Sequence, residues 1–250
     1  VTKVLKIGGS IITDKTQSSS PRMDEIQRIA DEIVPFAEDL VLVHGAGSFG
    51  HIPAKNYGLP ESFSPEGLRV THKSVVELNA LVVDALARAG AAPVPVHPFS
   101  CTLLLAGRID CFALEPLSEM IRRGLLPVLH GDVAMDAAKG AGIVSGDQLV
   151  PYLARALHTD VAAVGTDVDG VLFAGRPLAE ITRDSLPLIE SGLGGSEGVD
   201  VTGGMKGKLL EMLDLADEGI SSVIFNAAKK GNIAKVLSGE PAGTVVRRSP

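Results

Sequence analysis

The 250-residue chain has no tryptophan, and phenylalanine and tyrosine bring its aromatic content to only 4%. Base-stacking platforms of the kind that grip single-stranded nucleic acid are therefore not expected. The net charge of −7 leaves no general excess of basic side chains to displace counterions from a nucleic-acid backbone, so any phosphate site must be local. Cysteine is scarce too. Cys101 and Cys111 show no metal-ligand spacing, and two small, mostly buried thiols in a reducing compartment are expected rather than a disulfide. No apolar run approaches the roughly 18 residues of a membrane span, and Val1 to Lys6 lack the basic start, apolar centre and cleavage site of a signal peptide. These absences lead to the expectation of a cytoplasmic protein that binds neither nucleic acid nor membrane. At 45% hydrophobic and 21% charged residues, the chain has ample material for a large core.

Short apolar runs alternate with helical patterns along the whole length. Strands are expected at Lys3–Ile7, Leu40–His44, Ala92–Val96, Leu125–His130, Val161–Val164 and Ser222–Phe225, with a final edge strand at Gly243–Arg247. Helices are expected at Asp24–Ala37, Glu66–Ala89, Glu115–Arg123, Gly146–Leu157 and Lys208–Glu218. This alternation predicts an α/β fold with a mainly parallel central sheet and helices on both faces. Two glycine-rich segments break the rhythm. Ala134–Ser145 reads as a hairpin projecting over a site, and Ser191–Gly204, with six glycines, as a loop that closes on a ligand. A lobe boundary falls near residues 158–165, across which the sheet is expected to continue, so the chain reads as one domain.

The densest chemistry lies at Val41-Leu42-Val43-His44-Gly45-Ala46-Gly47-Ser48-Phe49-Gly50-His51, an apolar strand that enters a glycine turn and ends on histidine. Glycines let successive backbone N–H groups converge on an anion, and the imidazole adds a donor. The turn also fits G-x-G-x-x-G, but a dinucleotide site needs a helix straight after the third glycine and then a second strand. Residues 51–66 contain three prolines and fit no second strand. Lys6-Ile7-Gly8-Gly9-Ser10 closes the first strand, with Lys15 shortly after, and Thr202-Gly203-Gly204-Met205-Lys206-Gly207-Lys208 opens a helix. Each combines lysine with glycine amides, which suits phosphate. The P-loop pattern fails at both ends around Gly207-Lys208. Lys6, His51, Asp147 and Lys208 are far apart in sequence, yet each sits at a strand end or helix start, and in a parallel sheet such ends gather on one rim.

Taken together, Lys-x-Gly-Gly-Ser, Gly-Ala-Gly-Ser-Phe-Gly-His, His-Gly-Asp-Val (130–133), Ser-Gly-Asp (145–147), Gly-Thr-Asp-Val-Asp-Gly-Val (165–171) and Thr-Gly-Gly-Met-x-x-Lys (202–208) resemble the amino acid kinase superfamily and, within it, the isopentenyl phosphate kinase family. The resemblance spans the whole chain. It implies a three-layer αβα sandwich, an acceptor lobe at approximately 1–160, an ATP lobe at approximately 161–250, and a homodimer. Carried over by motif, it implies nucleotide contacts at Lys6, Gly8, Gly9, Ser10, Gly47, Asp167, Gly204 and Lys208. It implies acceptor contacts at Ala46, Gly47, His51 and Gly146. Asp147 matches an aspartate that orients two catalytic lysines, and Lys15 a phosphate-binding lysine, so the implied catalytic set is Lys6, Lys15, His51, Asp147 and Lys208. Lys208 is preferred over Lys206 because the family spacing puts the lysine three residues after the methionine.

The implied reaction is transfer of a phosphoryl group from ATP to isopentenyl phosphate, with magnesium carried on the ATP phosphates and no protein metal ligand. A phosphate monoester is largely dianionic at neutral pH, so no general base is needed and His51 is expected to donate a hydrogen bond. The apolar face of Val75, Val76, Asn79, Val82 and Val83, with Ile143, is expected to hold the alkenyl tail. Fosfomycin kinase, which shares the Ser-Phe-Gly-His ending, another small-acid kinase of the superfamily, and a non-catalytic nucleotide sensor are the rival readings. His44, His72, His97, His130 and His158 receive no role beyond structure at this stage, although His130 lies within a family motif.

Overall fold

Aliphatic residues in short runs build an eight-stranded sheet in a computed structural model that describes residues 2–159, 161–173, 175–187 and 203–249. Numbered in chain order, the strands lie side by side as β12 (Glu180–Ile181), β14 (Thr244–Val246), β13 (Ser221–Asn226), β9 (Val161–Thr166), β1 (Lys3–Ile7), β2 (Leu40–His44), β6 (Leu126–His130) and β3 (Pro93–Pro95). All neighbours are parallel except β13 and β14.

Successive side chains of a strand point to opposite faces, and this period sorts the core into two layers. Val4, Val41, Val43, Leu129 and Val164 pack against α6 (Leu114–Arg122), α7 (Gly146–Ala156) and α8 (Gly203–Asp217). Leu5, Ile7, Leu40, Leu42 and Val128 pack on the other face against α1 (Gly9–Ile12), α2 (Met23–Ile33), α4 (Pro65–Ala89) and α9 (Asn232–Ser238). The result is the expected αβα sandwich. By the same alternation Lys6 faces the layer of α7 and α8, whereas His44 and His130 face that of α4.

The long helix α4 has clear local punctuation. The Ser64 side chain accepts from Gly67 N at 3.0 Å, Pro65 occupies the first turn, and Gly90 terminates the helix at φ 105°. Its neighbour departs from expectation. Despite the prolines after Gly50, α3 spans Gly47–Asn56 with Pro53 inside it, and burial of Phe49 and Ala54 against the core outweighs the local preference against a helix. The second strand that a dinucleotide fold needs does not follow, because the next element is α4.

Ala134–Ser145 forms the expected hairpin, from β7 (Asp132–Asp136) and β8 (Gly140–Val144). It belongs to a second, four-stranded sheet with β4 (Thr102–Leu105) and β5 (Arg108–Phe112), which the sequence pattern did not reveal. Three further expectations need correction or limitation. The carboxy-terminal strand is not the sheet edge, because β12 pairs outside it. Of the two cysteines, both unpaired, Cys111 is exposed. The expected closing loop at Ser191–Gly204 lies outside the described residues, except for Gly203 and Gly204 at the start of α8. Among the described residues no helix is long and apolar enough to cross a membrane.

Candidate active site

Strands β1, β2, β6 and β9 all end at one rim, where Ile7 is in register with His44 and Gly165, and His44 with His130. The turns that leave these strands surround a cavity of about 890 Å³. This is a volume typical of small-ligand sites. Two glycine turns from different strands press together on its floor. A β-carbon on Gly9 would collide with the backbone of Gly47, and one on Gly45 with that of Gly9. Gly47 also has φ 51°, and its missing side chain leaves room for Thr13.

Thr13 joins the two turns, since its buried hydroxyl donates to Gly9 O at 2.8 Å and accepts from Ser48 N at 3.1 Å. The backbone amides of Gly9, Ser10, Ala46 and Gly47, all in the cavity lining, meet no acceptor among the described residues. Clustered, unsatisfied amides of this kind suit anionic oxygens.

Between the turns stands one carboxylate flanked by two ammonium groups. Asp147 Oδ1 is 2.7 Å from Lys6 Nζ, and its Oδ2 is 3.2 Å from Lys208 Nζ. Ser145 caps α7 by accepting from Gln148 N at 3.3 Å, and this places Asp147 in the first helical turn. Gly146 clears the path of the neighbouring lysine, because a β-carbon there would lie 3.0 Å from Lys6 Cε. Burial pushes the Lys6 ammonium below its ordinary pKa while Asp147 pulls it back up. For Asp147, burial alone would raise the carboxyl, but Lys6 and Lys208 outweigh it and hold it below its usual value. Two ammonium groups and one carboxylate thus meet at the wall of the cavity.

A second, shallower cluster lies at the mouth. Asp167 follows β9 and accepts from Ser10 Oγ at 3.0 Å and from Lys15 Nζ at 3.1 Å. Burial opposes ionisation of Asp167, yet the hydrogen bonds from Lys15 and Ser10 hold its pKa down. His51 projects from α3 as an exposed side chain in the cavity lining. Thus Lys6, Gly8, Gly9, Ser10, Lys15, Ala46, Gly47, His51, Gly146, Asp147, Asp167 and Lys208 all border one cavity. Gly204 lies in the first turn of α8, which carries Lys208, and Lys206 is on that helix's exposed side.

Part of the lining is apolar, with Val75 and, from one hydrophobic cluster, Ala54, Leu59 and Ile143. Only some of the residues expected to hold the tail border this cavity. Val75 and Ile143 border the cavity, whereas Val82 and Val83 pack into the core beneath α4. Val76 is half-buried outside the lining, and Asn79 is fully buried against His44. A helix turns 100° per residue, so a stripe read over two turns overstates what one cavity can see. Leu59 and Thr13 carried no signal in the sequence. Asp132, also in the lining, sits in the His-Gly-Asp-Val motif and was legible there.

The profile of the amino acid kinase family matches residues 1–226. The chain is 39% identical to the isopentenyl phosphate kinase of Haloferax volcanii over 98% of both sequences. It is 36% identical to that of Methanocaldococcus jannaschii over 97% of both. A solved structure of an isopentenyl phosphate kinase superposes with a TM-score of 0.84 at 33% identity, covering 98% of this chain and all of that one.

Proposed function

Because the chain belongs to the amino acid kinase family, with isopentenyl phosphate kinases as full-length relatives, we propose that it transfers the terminal phosphoryl group of ATP to isopentenyl phosphate. The observation that carries this reading is the Lys6–Asp147–Lys208 array, set between amide-lined turns and an apolar arm. A phosphate head and a short hydrocarbon tail match that sequence of surfaces. In this reading the lobe of roughly 1–160 holds the acceptor and that of roughly 161–250 the nucleotide.

Chemically, an oxygen of the acceptor phosphate attacks the terminal phosphorus of ATP, the bond to the bridging oxygen breaks, and ADP leaves. The attacking group is already an anion at neutral pH, so no side chain need remove a proton. The difficulty is repulsion between two anions. Lys6 and Lys208, held apart by Asp147, meet the charge that spreads over the transferring oxygens. The amides of Gly9, Ser10 and Gly47 hold the nucleotide phosphates with Lys15, Asp167 and Gly204 nearby, while Ala46, Gly146 and His51 hold the acceptor phosphate, with His51 as hydrogen-bond donor.

Among the described residues no group of three or more His, Cys, Asp or Glu side chains is arranged to hold a metal. Magnesium in this reading comes in on the ATP phosphates, whose charge it partly neutralises. A chain that uses ATP and has two unpaired cysteines fits the reducing cytoplasm, where we place it, as a homodimer.

The test is ADP release from MgATP with isopentenyl phosphate, run beside dimethylallyl phosphate, fosfomycin and acetylglutamate. Turnover with the five-carbon phosphates supports the reading. Turnover with fosfomycin alone moves the protein to another acceptor, and no turnover with any of the four removes the kinase reading.

A further inference from the structure

Beneath the acceptor side of the cavity lies a chain of four histidines that the transfer chemistry leaves unused. His44 and His130 stand in register on β2 and β6, both almost wholly buried, with rings stacked 5.8 Å apart. Each repeats one local contact. His44 Nδ1 is 3.0 Å from Gly45 O, and His130 Nδ1 is 3.0 Å from Gly131 O. A carbonyl only accepts, so both rings carry a proton on Nδ1.

Their other nitrogens are then fixed in turn. Burial disfavours the charged form of both rings. Each Nε2 is therefore an acceptor. His130 Nε2 receives a hydrogen bond from His97 Nδ1 at 2.9 Å. As placed, Asn79 Oδ1 lies 3.0 Å from His44 Nε2, and the buried Asn79 Nδ2 has no partner among the described residues. Turning that amide so that its NH2 faces the ring gives Nε2 the donor it needs. At the outer end, His72 Nδ1 donates to Asp132 at 3.0 Å, and Asp132 also accepts from Val133 N at 2.8 Å.

The two tethered carbonyls belong to the walls of the acceptor seat. In a planar trans peptide the C=O of one residue and the N–H of the next point in opposite directions. Holding Gly45 O against His44 therefore turns the Ala46 amide away from the ring, and that amide, in the cavity lining, meets no acceptor among the described residues. Gly131 is its neighbour, since a β-carbon there would lie 3.2 Å from Ala46 N. We propose that His44 and His130 are positioning residues: His44 aims the Ala46 amide at the acceptor phosphate by tethering the Gly45 carbonyl of the same peptide, and His130, by tethering the Gly131 carbonyl, holds in place the residue packed beside that amide. The inference rests on the acceptor reading given above. It assigns the histidines a part in acceptor affinity, separate from phosphoryl transfer and from ATP.

The experiment compares leucine with asparagine at each position, because asparagine keeps a donor near the place of Nδ1. His44→Leu and His130→Leu are expected to raise the KM for isopentenyl phosphate about tenfold, with the KM for ATP within about twofold, as befits loss of one oriented hydrogen bond. His44→Asn and His130→Asn should recover most of that loss. Unchanged acceptor KM in the leucine variants, or parallel rises in both KM values that asparagine does not recover, overturns the proposal. Nitrogen-15 NMR of the imidazoles supplies a readout without turnover, where Nδ1-protonated tautomers at His44 and His130 are expected and Nε2-protonated ones overturn it. If the wild type does not phosphorylate isopentenyl phosphate, the acceptor reading fails by itself. The positioning claim is then decided by the Ala46 amide resonance on adding inorganic phosphate. A shift present in the wild type and lost in His44→Leu supports it, and a shift retained in that variant, or absent from the wild type, overturns it.

Discussion

Lysine meets aspartate twice in this cavity, at very different depths. In the inner cluster the Lys6 side chain is 7% exposed, and Asp147 sits between it and Lys208. In the outer pair Lys15 is 67% and Asp167 49% exposed. The inner arrangement gathers two ammonium groups around one carboxylate in surroundings that screen them poorly, which suits the arriving phosphoryl group of the proposed reaction. The outer pair is balanced and wet, and such a pair contributes about 0–1 kcal/mol, little enough to open when a ligand arrives. In the proposed reaction, depth more than residue type would separate a group that stabilises transfer from one that helps binding.

The comparison breaks first, if it is wrong, at the inner cluster. Lys6→Ala and Lys208→Ala should each lower kcat by about 10²–10³, with small changes in KM, because the lost interaction strengthens in the transition state. Steady-state kinetics showing only a raised KM would erase the distinction. Asp147→Asn should cost somewhat less, about 10²-fold in kcat, since both lysines remain but lose the group that fixes them. Lys15→Ala should act mainly on KM, by about three- to tenfold, and a kcat loss equal to that of Lys208→Ala would place both clusters in the same role.

A smaller effect is expected at the apolar arm. Ile143→Ala or Val75→Ala should lower the KM for longer isoprenoid monophosphates by a few-fold relative to isopentenyl phosphate, by opening space for added methylenes. A chain-length profile that stays the same in both variants would place the tail elsewhere.

The smallest effect is on stability and concerns the histidine layer. His44, His97 and His130 are held below their ordinary pKa near 6.5 chiefly by burial. Their contribution is complete above pH 6.5 and declines as pH falls below it, because the unfolded chain then takes up protons that the folded chain resists. His72 is raised, mainly by its hydrogen bond to Asp132, so its contribution is complete below 6.5 and fades as pH rises through its folded value. Three groups against one predict a lower Tm at pH 5.5 than at 7.5. Thermal melts across that interval, repeated with His97→Asn, should show a shallower decline in the variant.

Much of the cavity lining could be read from the chain because its residues occupy short motifs at predictable places. Lys6 precedes a double glycine at a strand end, and Asp147 follows a serine that caps a helix. The choice of Lys208 over Lys206 rested on spacing, and Lys208 is the one that reaches Asp147. Other features left no local trace. Pro53 argued against the helix that nevertheless contains it, and the short strands β4 and β5 lacked a pattern distinct from loop. Asn79 read as a pocket residue until its burial against His44 placed it in the histidine layer.

From the sequence alone came the alternating α/β architecture, the glycine turns, and the lysines and aspartates that populate them. These depend on backbone freedom, side-chain period and helix capping, which act over a few neighbouring residues. Only the tertiary structure decided that Lys6 meets Asp147 across 141 positions, that Thr13 joins two turns, and that Val75 faces the cavity while Val82 faces the core. Those outcomes follow from which strands become neighbours and how each helix is rotated on the sheet, and both are set by packing of the whole core.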